Sequence, residues 1–247
     1  MLIVWLAALV AVGAAARSTW SPCGLSMLSS ITPFSERSRG HRYWATAGWF
    51  LAGSVVGGLT LGALGAVLAL VVGHSMLVAA AVCVAVAGLV DAGALGPVLP
   101  LIRRQVNDRW LSTYRPWVYA SGFGWQIGSG LATYLMTAGV VVVPLLGALS
   151  GRWPAALLLG GLFGLARGST VFLTAGASSP DRLRSIHARL DRFGPAVRWG
   201  LVGLQAGAAA ALALGVPVGI GLLLAVGGWA IGAVVAAAPL RPMIRVR

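Results

Sequence analysis

The chain alternates long apolar blocks with short polar stretches. A membrane-spanning helix needs about twenty mostly apolar residues, and the blocks reach that length repeatedly. The first runs from Leu2 to about Thr32. After the polar loop Phe34 to Arg42 (FSERSRGHR), a second lies within Tyr43 to Val72 and a third runs from Met76 to about Ile102. A basic loop, Arg103 to Pro116 (RRQVNDRWLSTYRP), precedes a fourth within Trp117 to Leu149 and a fifth from Ala155 to about Ala177. The run from Ala196 to Pro239 is too long for one span, and Gly215-Val216-Pro217 divides it into a sixth and a seventh, the last over 216–238. The pattern predicts an all-α polytopic membrane protein of about seven transmembrane helices, folded as a single transmembrane domain over 1–247.

Two features refine this layout. The second block carries Gly53/Gly57 and Gly58/Gly62, the small-xxx-small spacing that lets helices approach closely. The stretch 179–194 reads as an amphipathic surface helix. Ser179 caps it, Pro180 and Asp181 lie in its first turn, and Leu183, Ile186, Leu190 and Phe193 share one face with arginines on the others. Gly194-Pro195 is expected to end it.

Composition agrees with a membrane protein. The chain is 58% hydrophobic and 9% charged, with a mean hydropathy of +0.89. The formal charge is +13 and every basic residue is Arg. These arginines sit between apolar blocks, where they set topology and meet anionic headgroups, so nucleic acid is not an expected partner. The Arg-rich connections follow the odd-numbered spans. With seven spans they fall on one side, which the positive-inside rule makes cytoplasmic. The expected location is the cytoplasmic membrane, N-terminus outside and C-terminus inside. No basic segment precedes Leu2, so the first block is expected to stay rather than be cleaved.

An internal repeat is visible. Trp20 to Thr32 (WSPCGLSMLSSIT) lies over Trp125 to Thr137 (WQIGSGLATYLMT) without gaps, tryptophan on tryptophan and threonine on threonine. Each stretch opens a three-span group, 1–102 and 117–214, leaving 216–238 as an extra C-terminal helix. An odd number of spans per group inverts the second copy and places a site near the midplane, where broken helices meet.

The first repeat stretch is the expected functional centre. Arg17 to Pro33 (RSTWSPCGLSMLSSITP) puts a charge, two prolines, a thiol and seven hydroxyls in an apolar block. Pro22 removes a backbone donor, so the helix should break near Ser21 to Gly24, in the protein interior, with Cys23 at the break. Thr32 and Thr137, equivalent in the repeat, line the same centre. Arg17, Asp91 and Arg167 are ionisable residues inside spans, where the default is a partner or a water-filled path. Asp91 is the one acid in any span and the natural partner for an arginine. The second cysteine, Cys83, has no polar neighbour in sequence. The histidines, acids and thiols show no metal-ligand spacing, and no cofactor motif is present.

The segment ending TWSPCGLSMLSSITP resembles the first helix of the CcdA/DsbD transmembrane family, whose hallmark is Ser-Pro-Cys followed by a proline-rich exit. The residues GPVLPLIRR and GFGWQIGSGLATYL fit the same layout. The resemblance implies thiol-disulfide exchange across the membrane, with electrons passing between thioredoxin-like proteins on either side, as in cytochrome c biogenesis. It implies Cys23 as the reacting thiol, shaped by Ser21, Pro22, Gly24 and Pro33. The family's second cysteine falls on Gly128, which should face Cys23, and no cysteine lies in the fourth span. The broader LysE-like group also contains exporters. A small-solute or ion transporter with a midplane site is therefore the alternative expectation, and a non-catalytic assembly subunit a third. In neither is Cys23 required.

Overall fold

A computed structural model describes residues 1–96, 98, 113–130 and 133–237. Most of the basic loop 103–116 and the closing segment 238–247 thus lie outside the described residues. Among those described there are helices and no strand. In chain order they are α1 (Leu2–Ser18), α2 (Pro22–Ser30), α3 (Pro33–Ser38), α4 (Tyr43–Val72), α5 (Leu77–Ala92), α6 (Pro116–Ser129), α7 (Gly139–Leu149), α8 (Trp153–Ser169), α9 (Pro180–Leu214) and α10 (Val218–Ala237). A 3₁₀ turn, Thr170–Thr174, prolongs α8.

Four helical stretches are long and apolar enough to cross a membrane: Tyr43–Val72, Trp153–Thr174, Pro180–Leu214 and Val218–Ala237. The pair α1 and α2 makes a fifth when taken as one span, bent by 68° at its break. α5 and α7 are apolar but shorter.

α4 is the mast of the bundle. The expected close approaches occur, and its two glycine pairs serve different neighbours. A Cβ at Gly53 or Gly57 would collide with the backbone of α6 at Ser121 or Trp125. At Gly58 or Gly62 it would collide with α8 at Gly160 or Ala156. With no hydrophobic drive between helices in lipid, such backbone contact supplies the packing. Ser54 Oγ, next to Gly53, donates to the Gly164 carbonyl at 2.8 Å. α10 packs on α9 by the same device, Gly203 against Gly228 and Gly207 against Leu224. Its other faces expose Leu223, Ile231, Val234 and Val235.

Three sequence expectations are corrected. First, the expected polar loop FSERSRGHR is partly helical, over Pro33–Ser38. Thr32 caps α3 with its side chain, and Glu36 is fully buried. The Glu36 carboxylate accepts from Tyr119 Oη at 2.8 Å, Thr46 Oγ1 at 2.7 Å and Arg39 Nη1 at 2.9 Å. It thereby ties α3 to α4 and α6. Second, the helix from Ser179 does not stop at Gly194-Pro195 but runs on to Leu214. An internal proline removes one hydrogen bond, and here the junction is braced from outside. Trp20 Nε1 donates to the Leu190 carbonyl at 2.9 Å, and its ring lies over Gly194, where a side chain would crowd it. Third, the fourth apolar block, Trp117 to Leu149, holds two helices, α6 and α7, rather than one, with Gly130 left-handed at the end of α6 (φ 68°). A Cβ there would press on Val140, so only glycine suits the turn.

Candidate functional site

Two helix breaks organise the interior, and Arg167 bonds to Thr133 in the second while lying within electrostatic reach of Cys23 at the first. The first lies at Thr19 to Ser21. Pro22 does not kink a continuous helix. It is the first residue of α2, where a missing N–H costs nothing. Ser21 is the cap: fully buried, its Oγ accepts from the Gly24 N–H at 3.1 Å. Gly24 is needed for the close return of the chain, since a Cβ there would meet the Thr19 carbonyl. Pro33 likewise opens α3, with Thr32 as its cap.

Cys23 therefore sits in the first turn of α2 and is 2% exposed. It lies within electrostatic reach of the Arg167 guanidinium on α8. Arg167 is itself only 2% exposed, and Nη2 donates to Thr133 Oγ1 at 3.3 Å. The guanidinium lies 5.8 Å from the centre of the Phe163 ring. Nη1 is buried with no hydrogen-bond partner among the described residues. No carboxylate pairs with Arg167 among them. Its place in the last turn of α8 lets the helix dipole offset part of the charge, but the dipole gives Nη1 no acceptor.

The second break, Gly130 to Ala138, is closed from within. Asp91, at the end of α5, is 5% exposed. Its Oδ1 accepts from the Ala138 N–H at 2.8 Å. Its Oδ2 accepts from Thr137 Oγ1 at 2.7 Å and from Gln205 Nε2 at 2.9 Å. Thr137 Oγ1 accepts in turn from the Gly139 N–H at 3.0 Å. The carboxylate thus sits at the N-terminus of α7, where backbone donors and the dipole favour an anion. Arg198 donates to the Asp91 and Ala92 carbonyls at 3.1 and 3.2 Å, closing the C-terminus of α5. Gln205 Oε1 remains without a hydrogen-bond partner among the described residues.

These contacts correct the expected arginine partner for Asp91. Among the described residues no arginine side chain pairs with its carboxylate. Arg17 and Arg198 share its electrostatic neighbourhood without an ion pair. Threonine, glutamine and a backbone amide take the role instead. Gly128 does not direct its open side toward Cys23. A Cβ there would strike Ser54 of α4, so Gly128 is a close helix contact. Neither cysteine forms a disulfide among the described residues; Cys23 is buried and Cys83 half-buried. No metal-binding cluster occurs among the described residues.

Sequence reasoning missed Gln205, Arg198, Glu36 and Tyr119. Gln205 alone carried a signal, as the one amide in an otherwise Gly/Ala/Leu-rich run of α9. Comparison with protein-family models, with curated proteins and with solved structures finds no match.

Proposed function

We propose that the protein is a polytopic membrane transporter whose substrate site lies at the break between α1 and α2, around Arg167. The observation that carries this reading is a buried arginine that has, among the described residues, an unpartnered nitrogen and no carboxylate partner, within electrostatic reach of a broken helix. An ionisable residue in a membrane interior is costly and marks a substrate or ion path by default. In this reading the chain crosses the cytoplasmic membrane seven times, N-terminus outside and C-terminus inside. α6 and α7 form one broken span that mirrors α1 and α2. The two breaks do not fall on equivalent positions of the aligned stretches, since Gln126, the counterpart of Ser21, lies within α6; the inverted architecture with a midplane site rests on the sequence repeat alone.

A transporter requires a water path to that site. The test uses Cys23 as its reporter in a Cys83→Ala background, in sealed vesicles, with a membrane-impermeant thiosulfonate. Labelling of Cys23 from one face is expected. A thiol that stays unlabelled from both faces, in protein that labels fully once denatured, overturns the reading.

A second reading has its own observation. A thiol in a helix first turn beside a guanidinium has the surroundings of a reactive nucleophile. This supports the thiol-disulfide exchange implied by the CcdA/DsbD resemblance, with thioredoxin-like partners and a role in cytochrome c or other extracytoplasmic protein maturation. Mixed disulfides trapped with such a partner, and lost in Cys23→Ser, would favour it. Activity that survives Cys23→Ala would remove it.

A further inference from the structure

The two breaks present helix N-termini to the same interior, and they are treated oppositely. At the start of α7 the protein supplies its own anion, the Asp91 carboxylate, held by three donors. At the start of α2 there is no carboxylate among the described residues. Instead the α2 N-terminus and the Arg167 guanidinium both present positive charge, and Arg167 Nη1 has no acceptor among the described residues. Leaving a buried guanidinium nitrogen unsatisfied is unfavourable, and an acceptor carrying negative charge corrects both the missing bond and the missing charge.

We propose that a small monovalent anion binds at Arg167 Nη1, against the first turn of α2. This rests on the transporter reading, because it names the substrate class for that same site. Thr133 fixes the guanidinium through Nη2, leaving Nη1 for the ligand. The Phe163 ring centre lies 5.8 Å from the guanidinium. A single buried, charged donor matches a small monovalent anion such as a halide or nitrate. Cys23 lies within electrostatic reach of the guanidinium, so a bound anion should slow attack at its sulfur.

The experiment has two arms, both on the full chain in lipid nanodiscs. The first measures equilibrium binding of radiolabelled chloride to the wild type, with gluconate as the balancing anion. A single saturable site per chain is expected, displaced by nitrate, lost in Arg167→Gln and retained in the surface control Arg189→Gln. The second follows Cys23 labelling in the Cys83→Ala background. At chloride about ten times its dissociation constant, labelling should slow about tenfold relative to gluconate.

Absence of saturable chloride binding to the wild type overturns the proposal and assigns Nη1 to water alone. Binding that persists in Arg167→Gln also overturns it, by placing the ion elsewhere. If Arg167→Gln fails to fold, the wild-type binding and protection data decide the matter without it. The outcomes separate from those of the transporter reading. A Cys23 that no reagent reaches defeats transport while chloride binding can still be measured. A reachable Cys23 indifferent to chloride defeats the anion site alone.

Discussion

The break at Asp91 and the break at Arg167 solve one problem in two ways. Each interrupts a helix inside an apolar bundle, and each places one ionised side chain near a fresh helix N-terminus. Asp91 matches the sign of its site. An anion at a helix start, with three donors and Arg198 closing the helix behind it, is electrostatically satisfied. Arg167 opposes the sign of the α2 N-terminus and keeps one nitrogen unbonded among the described residues. The difference separates a structural joint from a site. A buried charge whose partners are complete is part of the frame, and one whose partners are incomplete is available to a ligand.

The largest expected effect breaks the joint. Asp91→Ala strands the Ala138 N–H, Thr137 and Gln205 together, and should cost about 3–5 kcal/mol of unfolding free energy. Denaturant titration in mixed micelles measures it. Asp91→Asn keeps the shape but turns one acceptor into a donor, and should cost about 1–3 kcal/mol.

Gly128→Val probes the frame between the breaks. The valine has no room against Ser54, so α6 must move off α4. A loss of about 1–3 kcal/mol is expected from overpacking alone, read as a lowered thermal midpoint. A variant as stable as the wild type would mean that α4 and α6 do not touch there.

Ser21→Ala removes the α2 cap. Its loss should be about 1 kcal/mol, and Ser21→Gly should recover most of it, as expected of a cap. Equal losses for the two would instead assign Ser21 a packing role.

The first break was readable before any coordinates, because its signals are local: a proline, a cap hydroxyl and a glycine within four residues, Ser21 to Gly24. Asp91 was legible as a buried acid, because nothing else in the third block is charged. Its partners were not. Thr137 and Gln205 lie 46 and 114 residues away, and only tertiary packing brings them to the carboxylate. Glu36 was missed because FSERSRGHR has the composition of a polar loop. Burial there depends on Tyr119, 83 residues on, donating to the carboxylate. The helix across Gly194-Pro195 was hidden for the same reason. The pair looks like a terminator until Trp20 is seen bracing Leu190 from another helix.

The central claim is that Arg167 is an unsatisfied charge and Asp91 a satisfied one. Unfolding free energies of Arg167→Gln and Asp91→Asn, measured side by side in chloride-free nanodiscs, test it most directly. The account predicts effects of different sign or size. Arg167→Gln should lie within about 1 kcal/mol of the wild type or above it, because a neutral amide there relieves an uncompensated buried charge, while Asp91→Asn should be clearly destabilised. A loss at Arg167→Gln as large as that at Asp91→Asn would contradict it, and would show that the protein already completes the bonding of Arg167 by itself.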